Sequence, residues 1–485
     1  MLYGRFGRMG LEKQSYDAIA EELMGPKRWR KSTHVLVGLV VLAFVAAVVA
    51  AAVLFTTGGH GPNGARSPVP PPRPPTVKAG VSPVADNAAA PSSEGVTAAL
   101  APAVADPNLG KLGGRITDAM TGKELWRQLD DLPMVPASTN KVLTAAAALL
   151  TLDRQARIST RVVAAGQAAQ GPVVLVGAGD PTLSAAPPGV ETWYRGAARI
   201  SDLVEQVHRS GMTPTAVQVD TSAFSGPGLA PGWDPADIDN GDVAPIESAM
   251  IDAGRIQPTT VNSRRSKTPA LDAGRQLAIA LGLDPAQVTI GSAPAGARQL
   301  AVVQSAPLIQ RLSQMMNASD NVMAECIGRE VAAAINRPQS FTGAVDAVTS
   351  RLNTAHVDTG GAALVDSSGL SVNDRLTART LDGVMQAAAG PDQASLRALL
   401  DLLPIAGGSG TLGERFLDRS TNQGPAGWLR AKTGSLTAVN SLVGVLTDAG
   451  GRVLTFAFIS NDAGPNGRNA MDALATKLWF CGCTT

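Results

Sequence analysis

Between Ser138 and Thr151 the chain reads STNKVLTAAAALLT, and beyond Lys141 apolar residues fall on nearly every face a helix would present. A helix with one polar face can lie on a surface, whereas one that is apolar all round must be wrapped by the rest of its domain. The flanking sequence supplies the wrapping. GGRITD (113–118) and ELWRQ (124–128), separated by a Gly-containing turn, read as a β-hairpin. Near the other end WLRAKTGS (428–435), NSLVGVLT (440–447) and RVLTFAFIS (452–460) read as three strands, with DAGG (448–451) turning between the last two. A helix over about 467–480 closes the chain. Strands at both ends with helices between them predict an α+β domain whose sheet is assembled from both ends of the chain.

The region before this domain has a different character. Residues 35–55, VLVGLVVLAFVAAVVAAAVLF, are almost wholly apolar and match the ~20 residues a helix needs to cross a bilayer core. Lys27, Arg28, Arg30 and Lys31 precede the run, which places residues 1–34 in the cytoplasm and everything after 55 outside. The run is longer than the ~7–15 apolar residues of a signal-peptide core, which favours an uncleaved anchor. The stretch from Met24 would make a complete anchor by itself, so Met24 is expected as the start and 1–23 as an extension. Residues 56–107 are rich in Pro, Ala, Gly and Ser, including PVPPPRPP at 68–75, and read as a semi-rigid spacer.

Composition excludes several functional classes. The formal net charge of the 485-residue chain is +1, without a basic stripe, so no electrostatic footprint for nucleic acid is present. Of the four histidines, His34 and His60 flank the apolar run, leaving His208 and His356. An imidazole-rich metal centre is not expected, and no G-x-S-x-G elbow accompanies either histidine. A nucleophile here needs another base. Cys326, Cys481 and Cys483 make no disulfide framework; a bridge from Cys326 to the tail and a buried thiol at Cys326 are both open readings.

One base is close at hand. Ser138 and Lys141 stand three apart at the start of the buried helix, a spacing that puts hydroxyl and amine on one face within hydrogen-bond reach. An adjacent amine can take the proton of a serine, which is otherwise a weak nucleophile, and a helix N-terminus favours negative charge there. Ser319-Asp320-Asn321 and Lys432-Thr433-Gly434 follow in that order, the second on an expected strand. A buried helix opened by S-x-x-K, then S-D-N, then K-T-G on a terminal strand resembles the penicillin-binding proteins and class A β-lactamases. LVGAGDPTLS (175–184), SDNVMAECIGRE (319–330), VDSSGLSVNDRLTAR (365–379) and LPIAGGSGTLGERF (403–416) sharpen the resemblance to low-molecular-mass class C penicillin-binding proteins, the D-Ala-D-Ala carboxypeptidase/endopeptidase family, in its actinobacterial branch. It covers about 108–480.

That resemblance implies a β-lactamase/transpeptidase-like α+β fold with an inserted smaller domain, and roles for the matching residues. Ser138 would attack the penultimate D-Ala carbonyl of a peptidoglycan stem peptide, with Lys141 as base. Ser319 would relay a proton to the leaving D-Ala, and Asn321 would hold the substrate amide and the Lys141 amine. Lys432 would supply positive potential, while Thr433 and Ser435 would bind the terminal carboxylate. Gly434 would leave room for substrate against the strand, and the N–H groups of Ser138 and Ser435 would form an oxyanion hole. β-Lactams would acylate the same serine; no cofactor or metal is implied. Asp320 is expected to hold its loop. Asp366, Ser368, Gly369 and Asp374 are expected to form a structural turn bordering the cleft, with Gly407, Gly408 and Gly410 in a loop near the site. Glu325 and Arg329 are expected as an ordinary ion pair.

From Ser138 to Ser319 there are 181 positions, more than a compact β-lactamase needs, and no E-x-x-L-N precedes Lys432. A module is therefore expected at about 161–299, inserted into a catalytic domain formed by 108–160 and 300–485. The gap is short for two inserted domains. Alternatives to the carboxypeptidase are a D,D-endopeptidase acting on cross-links and a catalytically idle wall-binding protein.

Overall fold

The computed structural model describes residues 88–418 and 423–481. Residues 1–34, expected in the cytoplasm, the apolar run at 35–55, expected to span the membrane, and most of the Pro-rich spacer lie outside them. Among the described residues no helix is long and apolar enough to cross a membrane.

The fold begins earlier than the composition indicates. The spacer was expected to run to residue 107, yet Ser93–Val104 forms helix α1, N-capped by Ser92, whose hydroxyl accepts the Gly95 N–H at 2.9 Å. Alanine favours helix, and Val96, Leu100 and Ala103 recur at a spacing that buries one stripe. The expected hairpin follows as β1 (Lys111–Asp118) and β2 (Glu124–Gln128), then α2 (Lys141–Thr151).

The chain then leaves for a second sheet. Its elements are β3 (Ser159–Ala164), β4 (Gln170–Val176), α3 (Ile200–Arg209), β5 (Thr213–Asp220), α4 (Ala236–Asn240), α5 (Pro269–Ala280), β6 (Thr289–Ile290) and β7 (Gln299–Gln304). The strand order is β6-β5-β4-β3-β7, with β4, β5 and β6 parallel. Antiparallel pairing of β3 with β7 sets Ser159 opposite Gln304, so the segment starts and finishes at neighbouring positions. Leu203 and Val207 of α3 and Ala273 and Leu277 of α5 share a core with Val173, Leu175, Val217 and Val219.

Back in the first body the chain forms α6 (Leu308–Ala318), α7 (Asn321–Ala334), α8 (Phe341–Thr354), α9 (Ala378–Ala389) and α10 (Ala398–Leu402). It ends with β8 (Leu429–Leu436), β9 (Val439–Thr447), β10 (Val453–Asn461) and α11 (Gly467–Phe480), matching the three strands and the helix read from the sequence. The sheet runs β2-β1-β10-β9-β8, and β1 pairs with β10 from Lys111↔Asn461 to Asp118↔Leu454. Both faces are covered. Val443, Val445, Ala457 and Ile459 pack toward α2 and its neighbours, while Leu442, Leu446, Phe456 and Phe458 pack with residues of α1 and α11. From Lys141 to Leu149 every residue of α2 is buried, as its all-round apolar sequence requires. Cys326 is a buried free thiol on α7.

Candidate active site

The first motif sits on a tighter turn than the helix expected from Ser138. Ala137 takes a positive φ of 49°, and Ala137–Asn140 form a 3₁₀ turn before α2 starts at Lys141. The turn is tied down by Thr139 Oγ1 donating to Pro136 O at 2.6 Å and by Asn140 Nδ2 donating to Asp366 O at 3.0 Å. The three-residue spacing brings Lys141 Nζ to 2.9 Å from Ser138 Oγ.

The second motif spans the break between α6 and α7. Ser319 ends α6 in the left-handed region at φ 58°, Asp320 caps α7, and Asn321 is the first residue of α7. Two elements that each terminate here thus present both flanking side chains to the buried lysines. Asn321 Oδ1 accepts from Lys141 Nζ at 2.6 Å, and Ser319 Oγ accepts from Lys432 Nζ at 2.8 Å.

The third motif lies on β8, the edge strand beside β9. Lys432 also donates to Thr433 O at 2.9 Å, while Ser435 is exposed. Gly434 was expected to make room for substrate; the structure assigns it an intramolecular reason. A Cβ there would stand 2.1 Å from Ser441 Oγ and 2.8 Å from Pro136 O, so its absence lets β8 close on the turn that carries Ser138.

These contacts set the proton chemistry. Lys141 is fully buried and donates to three oxygens: Ser138 Oγ, Asn321 Oδ1 and, at 2.8 Å, Ser368 O. Three acceptors match the three protons of an ammonium. A neutral amine can keep Asn321 and Ser368 and turn its lone pair to Ser138. Burial lowers the Lys141 pKa to about 8 against the opposing pull of Asp366, Glu325, Asp320 and Asp374. Lys432 is held well below the usual lysine range by burial and by the charge of Lys141. One cation thus weakens the proton affinity of the other.

The Ser368 carbonyl was not visible in the sequence, because a backbone oxygen has no residue signature. Its loop is built around Asp366, one carboxylate oxygen of which accepts the N–H groups of Ser368 (3.0 Å) and Gly369 (2.6 Å). The other accepts from Ser371 N–H and Trp233 Nε1, each at 2.8 Å. The expected turn at 366–374 is therefore present, and through Ser368 it touches the base itself. The expected ion pair of Glu325 with Arg329 is present at 3.4 Å, but it is buried and does more than pair: Glu325 Oε1 accepts the Ser367 N–H at 2.9 Å. Burial pushes Glu325 up to about 7, with Asp366 adding and Arg329 opposing. The glycine loop also reaches the site, where Thr411 Oγ1 lies 2.8 Å from Thr433 Oγ1.

Gly369 makes this loop testable. It sits at φ 78°, and a Cβ would fall 1.9 Å from Ala137 O. Gly369→Ala must push the loop off the nucleophile turn, taking Ser368 O from Lys141. The expected result is a loss of about 2 kcal/mol or more of stability, read as a fall in Tm, together with slower penicillin acylation.

The sequence model of the D-Ala-D-Ala carboxypeptidase 3 (S13) family matches residues 96–264 and 260–478. The chain belongs to this S13 family. The model of the N-terminal domain of Rv3627c-like carboxypeptidases matches residues 24–83. Carboxypeptidase Rv3627c of Mycobacterium tuberculosis is 85% identical over 462 residues, covering 95% of this chain and all of the relative. Carboxypeptidase DacB of Mycolicibacterium smegmatis is 63% identical over 461 residues, again 95% of this chain and all of the relative. In fold, the S13 chain is similar to the crystal structure of penicillin binding protein 4 (dacB) from Haemophilus influenzae. The TM-score is 0.66 at 23% identity, over 80% of this chain and 98% of the other. That likeness fixes the transpeptidase/β-lactamase-like architecture.

Proposed function

We propose that this S13 chain removes the terminal D-Ala from peptidoglycan stem pentapeptides through an acyl-enzyme on Ser138. The observation that carries the reading is the position of Lys141 Nζ, buried among Ser138 Oγ, Asn321 Oδ1 and Ser368 O. Neutral Lys141 takes the Ser138 proton as Oγ attacks the penultimate D-Ala carbonyl. Negative charge then develops on the carbonyl oxygen, which the N–H groups of Ser138 and Ser435 would receive. The leaving D-Ala nitrogen needs a proton, and Ser319, hydrogen-bonded to Lys432, would relay to it the one that Lys141 took, which returns Lys141 to the neutral amine that deacylation needs. Water then hydrolyses the acyl-enzyme.

The open edge of β8 supports the substrate pose. Segment 404–406 covers its first part, with Ala406 N–H donating to Leu429 O at 2.9 Å and Ala431 N–H to Pro404 O at 3.0 Å. Residues from Lys432 to Ser435 would then pair with the extended peptide as an added strand, its terminal carboxylate on Thr433 and Ser435. β-Lactams, which mimic the acyl-D-Ala bond, would acylate Ser138 in the same pose. We further infer that residues 35–55 anchor the chain in the cytoplasmic membrane with the catalytic domain outside. Cell fractionation with external proteolysis checks that arrangement.

The deciding experiment incubates the protein with benzylpenicillin, locates the adduct by mass spectrometry, and assays D-Ala release from a pentapeptide ending in D-Ala-D-Ala. An adduct on Ser138 with D-Ala release is expected. An adduct without release would favour the endopeptidase reading, and no adduct on a folded protein would overturn the assignment.

A further inference from the structure

The second motif is held by a residue that neither the sequence motifs nor the reaction scheme includes. Tyr194, from the segment between β4 and α3, is 2% exposed and donates its hydroxyl to Asp320 Oδ2 at 2.5 Å. Asp320 is itself 7% exposed, and its two carboxylate oxygens have separate partners. Oδ1 caps α7 by accepting the Met323 N–H at 2.9 Å. Oδ2 would normally be left to water at a surface cap; here it receives the phenol of the inserted segment. The length is that of a charge-assisted O–H···O⁻ bond.

We propose that Tyr194 is a positioning residue for catalysis: by fixing Asp320 it holds Ser319 and Asn321 against Lys432 and Lys141. The backbone gives the reason such a hold is needed. Ser319 is a non-glycine residue in the left-handed region, a conformation that persists only where its surroundings impose it. Asp320 is the next residue, and Asn321 follows, with its Nδ2 donating to Asp242 O of the same inserted segment at 3.0 Å. The motif is thus gripped twice by the insertion, once through a side chain and once through a carbonyl. Burial, reinforced by the Asp320 charge, pushes the Tyr194 phenol well above its ordinary value, so it stays a donor throughout the working pH range. A displacement of Asp320 moves the Ser319 and Asn321 side chains that meet the two lysines, and misplacement on the ångström scale costs about a hundredfold in rate.

This inference rests on the Ser138 acylation reading. The test compares wild type, Tyr194→Phe, Asp320→Asn and the double variant, each as the full chain. Pentapeptide turnover, benzylpenicillin acylation and Tm are measured for all four. Tyr194→Phe is expected to lower kcat and the acylation rate roughly ten- to a hundredfold with KM unchanged within about twofold. In the Asp320→Asn background, where the carboxylate is gone, the same change is expected to cost less than about threefold, because the two act as one unit. A lowered Tm with unchanged kcat would reduce Tyr194 to a core residue and overturn the proposal. Costs that multiply in the double variant would overturn it as well. Absence of a Ser138 adduct in the wild type would instead bring down the functional reading, and this role with it.

Discussion

Ser138→Ala abolishes the covalent penicillin adduct and lowers D-Ala release by about 10⁴- to 10⁶-fold, while the protein stays folded. The chemical loss is complete because nothing else at that point of the 3₁₀ turn offers a nucleophile: Thr139 is buried with its hydroxyl committed to Pro136 O. The structural loss is small. Ser138 is only partly buried, and its Oγ is one of three oxygens around Lys141 Nζ, so one hydrogen bond worth about 1 kcal/mol is removed. Intact-mass analysis after incubation with benzylpenicillin reads the first outcome, and thermal unfolding reads the second. A persistent adduct on the alanine variant would move the nucleophile elsewhere.

Lys141→Met is expected to be nearly as damaging for a different reason. The side chain is one atom shorter and still fills most of the space between Ser138, Asn321 and Ser368, but the site loses its base, worth about 10²–10⁴-fold. The pH dependence distinguishes this from simple disruption. In the wild type the amine must be neutral to accept the Ser138 proton, and its pKa lies at about 8. The acylation rate therefore climbs about tenfold per pH unit below that value and levels off above it. In the methionine variant the residual rate should lose this limb and run flat across the same range. Stopped-flow acylation between about pH 6 and pH 9.5 reads both. A limb that survives in the variant would assign it to another group.

Much of this site was legible in the chain itself. The spacing from Ser138 to Lys141, the strand character around Lys432 and the hairpin at 113–128 all follow from local periodicity, and the structure places them as read. What escaped are contacts made across long separations by groups without a signature. The carbonyls of Ser368 and Asp242 are backbone atoms, and any residue could supply them. Trp233 and Tyr194 read as ordinary aromatic residues until their polar ends are seen to meet Asp366 and Asp320. α1 was missed because a window dominated by Pro, Ala and Gly hides the short stripe of Val96, Leu100 and Ala103. Glu325 and Arg329 form the ion pair read from the sequence, but an i, i+4 spacing says nothing about which face of α7 is covered, so its burial was not legible.

The pairing of β1 with β10 has a consequence for biosynthesis. As the polypeptide leaves the ribosome, the hairpin and the nucleophile turn emerge roughly 300 residues before β8 and β10. Until those late strands arrive, β1 has no partner on one side, and Ser138 lacks the strand bearing Lys432 and Ser435. The face of β1 that meets β10 must wait unpaired through most of translation, whereas α2 finds cover earlier, when α7 and α8 emerge. Maturation is therefore concentrated in a single closing event near the C-terminus. A chain interrupted between Lys141 and Val453 holds the serine and its lysine yet lacks β10, the strand that joins β1 to β9 and completes the catalytic sheet.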